Sequence, residues 1–294
     1  MSRVVCAGHV NWDVTLFVDR LPGADEEAVV TDRRAAAGGS ASNVATGLAG
    51  LDVETALLGS VGDDGPGARA RAELGTAGVE TSFVRTVETG PTTEKHLLVD
   101  ESGEVAVLSR SGENEAFAAA DLPDRTLAES AHLHLTSMPP ATASRLAERA
   151  LAAGLGVSFD PGRRVADRDY AEVVEVVDLV FLNDLEATSA AAAGLFDAGP
   201  DDLAVVEKRG AGGAAYRRGD RRLAHPGFDV DPVDTTGAGD AFAAGFLAAR
   251  LEGTDAAGAL AVGNACGAIA AGNVGARTDL SWEAVDSHLT DDDR

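Results

Sequence analysis

Short apolar runs rich in valine and leucine alternate with alanine-rich segments along most of the chain. The run RVVCAGHV near the start has the pattern of a strand, and SASNVATGLAGL, which begins near Ser40, has the pattern of a helix. Strands that alternate with helices are typical of a parallel sheet covered by helices on both faces. The pattern therefore predicts an α/β fold with a mostly parallel central sheet. Three later apolar runs continue the alternation, namely LGVSFD, DLVFLN and LAVVEK.

Two regions interrupt this alternation. Residues from about 13 to 34 and from about 92 to 110 carry alternating apolar and polar positions, and the second region turns at Ser102–Gly103 like a hairpin. We expect both regions to form antiparallel strands of a small β-sheet that covers the functional site as a lid and excludes water. No linker of biased composition divides the chain, so residues 1–294 are expected to form a single domain.

The charge of the chain narrows the range of possible partners. The 294 residues include 48 acidic and 24 basic ones, and the formal net charge is −24. Such a surface repels nucleic acids and anionic membranes, so neither is expected as a partner. We interpret the acidity as adaptation to a salt-rich cytoplasm, where a Debye length of about 3 Å at 1 M salt weakens the self-repulsion. The alternative is an acidic protein that is merely soluble.

No segment indicates secretion or a disulfide framework. The start of the chain lacks the long apolar core of a signal peptide. Cys6 and Cys266 fit neither a disulfide framework nor the spacing of a metal site. The weakly polar stretch 256–272 is interrupted by three glycines and by Asn264, which predicts a buried helix rather than a membrane span. A cytoplasmic protein is expected.

The stretch VDTTGAGDAFAAGFLAA places Gly237, Ala238 and Gly239 directly before Asp240 and an apolar helix. Glycines permit a tight turn, and the first N–H groups of a helix attract an anion. A carboxylate beside an anion site would repel the ligand, unless the turn holds a phosphate while Asp240 removes a proton. The alternative is a structural turn in which Asp240 caps the helix.

A second glycine-rich stretch, AAAGGSASNVATGLAGL, lies earlier in the chain. With the first stretch, in this order and spacing, it resembles the ribokinase, or PfkB, family of carbohydrate kinases over nearly the whole length. The positions that carry the resemblance are Gly38, Gly39, Asn43, Asp234, Thr235, Gly237, Ala238, Gly239, Asp240 and Phe242, with further matches at Asn11, Asp13, Asn183 and Glu186. The resemblance implies a Rossmann-like (ribokinase-like) three-layer sandwich with a small β-sheet lid, and ATP-dependent phosphorylation of a sugar-like hydroxyl.

The resemblance also implies roles at the substrate end of the site. Asp240 would accept the proton of the attacking hydroxyl, and the N–H groups of residues 237–240 would form an anion hole for the transferred phosphoryl group. Ser40 stands where ribokinases often have a lysine, which weakens a specific assignment to ribose. The residues expected to bind substrate hydroxyls are Asn11, Asp13, Gly38, Gly39 and Asn43.

The nucleotide and ion sites are implied in the same way. Asn183 and Glu186 would hold Mg²⁺ through water, although Glu186 is also an ordinary acidic residue for the first turn of a helix. Asp234 and Thr236 would help to hold a monovalent cation such as K⁺, with further ligands near Gly275–Thr278. The residues expected at the nucleotide are Lys208, Gly210, Gly237, Gly239 and Asn264.

Two further groups of residues each have two interpretations. Arg163 and Arg164, after the motif FDPG, and Arg110, near the end of the lid, would either grip a phosphate already present on the substrate or be solvated surface residues. His132 and His134 alternate along a strand, where a structural role is favoured over a metal site.

The sequence therefore predicts an ATP- and Mg²⁺-dependent kinase that phosphorylates a primary hydroxyl of a sugar or nucleoside. The alternatives are a kinase of a sugar phosphate such as ribose 1-phosphate, and a nucleotide- or sugar-binding sensor without catalysis. No G-x-G-x-x-G follows the first strand, which disfavours a nicotinamide dehydrogenase. A homodimer that pairs through the lid sheets is a reasonable expectation.

Overall fold

The strands of the protein form two separate sheets in the computed structural model, which describes residues 3–196, 199–273, 275 and 277–289. The strands of the central sheet are β1 (Arg3–Ala7), β4 (Glu54–Gly62), β5 (Val79–Glu80), β6 (Val84–Val87), β9 (His132–Thr136), β10 (Gly156–Asp160), β11 (Leu179–Asn183), β12 (Ala204–Lys208), β13 (Ala214–Arg218) and β14 (Arg221–His225). Those of the small sheet are β2 (Asn11–Val18), β3 (Val30–Gly38), β7 (Glu94–Val99) and β8 (Val105–Arg110).

The central sheet runs in the order β14-β13-β12-β11-β10-β9-β1-β4-β5, and β6 pairs with β4. The strands from β12 to β5 pair in parallel, while β13 and β14 form an antiparallel hairpin at one edge. The mostly parallel sheet predicted from the alternation is therefore confirmed. The edge hairpin was not predicted from the sequence, because four arginines occupy its two strands and hide the period-2 apolar pattern.

Helices cover the central sheet on both faces. The helices of the described residues are α1 (Ser40–Gly50), α2 (Gly65–Thr76), α3 (Asp124–Ala128), α4 (Pro140–Ala152), α5 (Ala171–Val174), α6 (Asp184–Ala192), α7 (Ala238–Leu251), α8 (Ala256–Ala271) and α9 (Trp282–Asp286). Side chains of β1 alternate between two cores: Val4 and Cys6 join the core formed with α1, α7 and α8, and Val5 and Ala7 join the one formed with α4 and α5. The result is the expected three-layer arrangement. Within the described residues, no helix is both long enough and apolar enough to span a bilayer.

The small sheet has the order β3-β2-β7-β8 and includes both regions that interrupt the alternation. Its β2–β3 and β7–β8 pairs are antiparallel as expected, whereas β2 and β7 pair in parallel. Trp12 and Val14 of β2 are buried in the core beside α1 and α7. Because successive side chains of a strand point to opposite faces, Asn11 and Asp13 lie on the other face of the small sheet.

The carboxyl ends of four neighbouring strands meet at one edge of the central sheet. Thr136 at the end of β9 lies beside Asp160 at the end of β10, and Asn183 at the end of β11 lies beside Lys208 at the end of β12. In open parallel sheets, ligands bind beyond this edge. The fold therefore brings together polar residues that are far apart in the chain.

Candidate active site

The turn before α7 presents free backbone donors. Gly237 adopts a left-handed conformation with φ of 79°, which glycine tolerates without a steric cost, and the helix begins at the next residue. Among the described residues, the N–H groups of Gly237, Gly239 and Asp240 have no protein acceptor. The N–H of Ala238 donates to the carbonyl of Thr235 over 3.3 Å. The turn can therefore receive an anion at the positive end of the helix.

Asp240 lies within the same turn and is held by a residue from another helix. The Nδ2 atom of Asn43, in α1, donates to its Oδ2 atom over 2.8 Å. Loss of hydration raises the pKa of Asp240 to about 6, the nearby Asp160 carboxylate adds to this rise, and Lys208 and Lys95 oppose it. A carboxylate with a pKa near the working pH is suited to accept a proton from a hydroxyl.

Lys208 supplies positive charge directly beside this turn. Its Nζ atom donates to Oδ2 of Asp160 over 2.6 Å, and it lies 3.3 Å from the point where a β-carbon on Gly239 would stand. Burial alone would lower the pKa of Lys208, but Asp160, Glu186 and Asp240 outweigh burial and raise it. The ammonium group therefore stays charged beside the free N–H groups of the turn, where a positive charge can stabilise a bound anion.

The Gly38–Gly39 pair leaves room for protein atoms. A β-carbon on Gly38 would stand 2.0 Å from Oδ2 of Asp13, and one on Gly39 would stand 2.4 Å from the carbonyl oxygen of His9. Gly39 also has a φ of 96°. The two glycines thus allow the Asp13 carboxylate and the β1–β2 connection to pack against the start of α1, whereas the sequence predicted them only as residues that bind substrate hydroxyls.

Among the described residues, three of the side chains expected to bind the sugar each have a buried polar atom without a protein partner. These atoms are Nδ2 of Asn11, Oδ1 of Asp13 and Oδ1 of Asn43. The Oδ1 atom of Asn11 accepts from Nδ2 of Asn114 over 2.7 Å, and burial raises the pKa of Asp13 to about 6, against the opposing effect of Lys95. Since an unpaired buried polar group costs about 1–3 kcal/mol, one donor and two acceptors left open favour a ligand rich in hydroxyl groups.

Asn183 and Glu186 form the N-terminal capping box of α6. The N–H of Asn183 donates to Oε2 of Glu186 over 2.8 Å, and Oδ1 of Asn183 accepts from the N–H of Glu186 over 2.9 Å. Burial and the Asp160 carboxylate raise the pKa of Glu186 despite Lys208. This excess of buried carboxylates fits Mg²⁺ held through water, while the capping box shows that the pair is also structural.

The sequence profile of the pfkB family carbohydrate kinases matches residues 1–283. The chain belongs to this family. It is similar to the ATP-dependent ribose-1-phosphate kinase of Halopiger xanaduensis, with 50% identity over 293 residues and 99% of each chain covered. It is also similar to the nucleoside kinase of Methanothermobacter thermautotrophicus, with 28% identity over 86% of this chain and 84% of the relative. The protein is therefore an ATP-dependent phosphotransferase that acts on an alcohol group.

Solved structures support the same fold for this kinase. The crystal structure of ribokinase from Thermotoga maritima matches with a TM-score of 0.86 and 25% identity, covering 98% of this chain and 99% of that one. The match includes the large, mostly parallel sheet and the separate small sheet. The predicted ribokinase-like fold is confirmed.

Of the three arginines that would either grip a substrate phosphate or be solvated surface residues, Arg110 lies on the face of the small sheet away from Asp13. Arg110 pairs with Glu94 over 3.1 Å, on the face of the small sheet that carries Trp12 and not Asp13. Arg163 and Arg164 are exposed. The charge of Arg163 acts on Glu186, which places it toward the expected magnesium site. The structure thus gives these arginines no shared position at the sugar.

The residues predicted to bind the nucleotide or the monovalent cation differ in their burial and in their hydrogen-bond partners. Asn264 is buried in α8 and hydrogen-bonds through Nδ2 to Nδ1 of His225 over 3.0 Å, and Gly210 lies in an open turn after β12. The two carboxylate oxygens of Asp234 accept from the N–H groups of Thr236 and Gly275, each over 2.9 Å. Asp234 therefore joins two loops whether or not it also binds a cation. Of the expected further cation ligands, Ala276 lies outside the described residues.

Three functional candidates were not assigned from the sequence. Asp160 was visible in the FDPG motif, but its partner Lys208 is 48 residues away, and only the register of the sheet joins them. Lys95 lies in register with Asp13, and His225 contacts Asn264.

His132 and His134 both hydrogen-bond Oγ of Ser158 over 2.8 Å, which gives them structural partners. A cavity of about 660 Å³ elsewhere is lined by residues between 118 and 149 and contains none of the site residues.

Proposed function

We propose that the kinase transfers the γ-phosphate of ATP to the primary hydroxyl of ribose 1-phosphate, giving ADP and ribose 1,5-bisphosphate. The observation that carries this choice is the 50% identity to a ribose-1-phosphate kinase, which extends over 99% of both chains. The open donor and acceptors at Asn11, Asp13 and Asn43 suit the hydroxyls of a pentose ring.

In the proposed step, the side chain of Asp240 accepts the proton, and the turn before α7 stabilises the transferred phosphoryl group. The hydroxyl oxygen of the sugar attacks the γ-phosphorus, its proton passes to the Asp240 carboxylate, and the bond to the bridging oxygen of ADP breaks. The free N–H groups of Gly237, Gly239 and Asp240 stabilise the charge on the transferred phosphoryl group. Lys208, held by Asp160, adds a fixed positive charge at the same turn. Catalysis therefore depends on N–H groups and a positive charge that are already in position, and not on a covalent intermediate.

Ions complete the proposed site. Asn183 and Glu186 would hold Mg²⁺ through water, and the metal would neutralise the ATP phosphates. A monovalent cation at Asp234 and Thr236 stays a prediction that exchange of KCl for choline chloride would test. Arg277, which lines a small cavity together with Asn43 and Gly237, already brings positive charge into that region.

We further propose that the small sheet acts as a lid and joins two copies of the chain. Its edge strand β8 exposes Val107 by 53% and Leu108 by 61%, and Val30 at the opposite edge is 51% exposed. Exposed apolar edge strands favour pairing with another chain. Light scattering after gel filtration would test the dimer, with Val107→Lys expected to produce monomers.

A neutral sugar or nucleoside is the second candidate substrate, because a 28% identical relative is a nucleoside kinase. A single experiment separates the two: ADP release measured with pentoses, hexoses, nucleosides and sugar phosphates in molar KCl, with the product assigned by phosphorus NMR. We expect ribose 1-phosphate to give the highest kcat/KM. A neutral acceptor that exceeds every sugar phosphate would overturn the proposed substrate.

A further inference from the structure

Lys95 is a lid residue on the face that carries the proposed sugar site. In the small sheet, Lys95 of β7 stands in register with Asp13 of β2, and on its other side with Ser109 of β8. Residues paired in register project from the same face of a sheet. The Lys95 side chain therefore lies on the Asp13 face, opposite the face that packs Trp12 into the core.

The ammonium group of Lys95 is not committed to a protein partner. The chain has two lysines, and Nζ of the other, Lys208, is held by Asp160 over 2.6 Å. Lys95 is half-buried, and within the described residues its Nζ atom makes no hydrogen bond or ion pair. Its charge nevertheless acts on both Asp13 and Asp240, where it partly opposes the rise in pKa that burial causes. The free ammonium group thus lies within electrostatic reach of both ends of the substrate site.

Two other cations near this region are already paired. Arg168 makes a bidentate contact with Glu115, over 2.9 Å to each oxygen, and Arg110 pairs with Glu94 on the far face of the small sheet. The phosphate of a sugar phosphate is a dianion, and the site already contains the half-buried carboxylates of Asp13 and Asp240. Binding of this dianion therefore requires a positive charge that is not already paired. Lys95 meets this requirement with three N–H donors on a flexible stem.

We propose that Lys95 binds the phosphate already carried by the substrate and so selects a sugar phosphate over a neutral sugar. This assignment rests on the proposed function and adds that Lys95 is the residue that recognises the negative charge of the substrate's phosphate. Because Lys95 belongs to the lid, the phosphate also draws the small sheet onto the sugar, whereas a neutral sugar leaves the half-buried ammonium group unpaired. A site built to pair a charged group discriminates against a ligand that lacks the partner.

The test compares Lys95→Gln and Lys95→Arg with the wild type in ADP release, at one fixed KCl concentration. Arg33→Gln is the matched control, because exposed Arg33 pairs in register with Leu16 and loses the same single charge from the opposite face of the same sheet. For Lys95→Gln we expect the KM for ribose 1-phosphate to rise by about 10- to 100-fold, the range for loss of one hydrogen bond to a charged group. We expect kcat at saturation to stay within about threefold, Lys95→Arg to restore most of the affinity, and Arg33→Gln to match the wild type.

Two other results would overturn the assignment. An unchanged KM for ribose 1-phosphate in Lys95→Gln would show that Lys95 does not touch the phosphate. A fall of kcat without a rise of KM, with the pH profile moved upward, would show that Lys95 acts only on the carboxylates. Both leave the proposed function intact. A wild-type kinase that phosphorylates neutral acceptors but no sugar phosphate would instead refute the proposed function, and this inference with it.

Discussion

Replacing Asp240 by asparagine separates the chemical role of this residue from its effect on stability. The pKa of Asp240 is about 6, roughly two pH units above the usual aspartate value near 3.9. At about 1.4 kcal/mol per pH unit, the ionised carboxylate costs the folded protein up to about 3 kcal/mol at pH 8. Asparagine is neutral and its oxygen can still accept from Nδ2 of Asn43. We therefore expect Asp240→Asn to raise the free energy of unfolding at pH 8 by about 2 kcal/mol.

The pH dependence gives the sign of this effect an independent check. The folded protein binds the Asp240 proton more tightly than the unfolded chain does. Through this group, the free energy of unfolding of the wild type falls as the pH rises from about 4 to about 6, and the variant lacks this fall. Loss of a general base is expected to lower kcat by about 10²- to 10⁴-fold.

Urea unfolding at pH 5 and pH 8 measures stability, and ADP release measures turnover, with exposed Asp220→Asn as the control. Near-normal turnover of Asp240→Asn would refute the assignment of the base. If the variant has a lower free energy of unfolding than the wild type at pH 8, the claim that burial of the ionised Asp240 carboxylate destabilises the folded protein is refuted.

Three further changes test other parts of the account. Gly239→Ala places a β-carbon 3.3 Å from Nζ of Lys208 and is expected to lower kcat about tenfold with little loss of Tm, whereas Gly75→Ala, with open space around it, should slightly raise Tm. Asp160→Asn removes the carboxylate paired with Lys208, so we expect a higher KM for ATP and a loss of about 3 kcal/mol in urea unfolding; unchanged values for both would contradict the pair's role. The melting temperature should rise between dilute buffer and about 2 M KCl because salt screens the net charge of −24, and a flat response would remove the proposal of adaptation to salt.

The sequence predicted those parts of the site that are local in the chain. The turn at 237–240 combines glycines with a helix start, and Glu186 was recognised as a residue for the first turn of a helix, although its capping box with Asn183 was not predicted. The alternation of strands and helices likewise indicated the parallel sheet, because each element has its own period. The small sheet was visible as the place where this alternation stops.

Contacts between distant segments could not be predicted in this way. Asn43 reaches Asp240 across 197 residues, and Lys95 meets Asp13 through the register of two strands that are not neighbours in the chain. The period of β7 shows that Lys95 and His96 face opposite sides, but not which side carries the site. The three arginines were grouped by their charge and by their positions after the FDPG motif and near the end of the lid, and the structure places Arg110 on the other face of the small sheet, with Glu94.

The central claim is that one turn at the start of α7 holds both the proton acceptor and the cradle for the transferred phosphoryl group. A crystal structure with ADP, aluminium fluoride, Mg²⁺ and ribose 1-phosphate tests it most directly. We expect the fluoride ligands to accept hydrogen bonds from the N–H groups of Gly237, Gly239 and Asp240, with the Asp240 carboxylate at hydrogen-bonding distance from the primary hydroxyl of the sugar. A fluoroaluminate bound away from these N–H groups, or a hydroxyl out of reach of Asp240, would contradict the account.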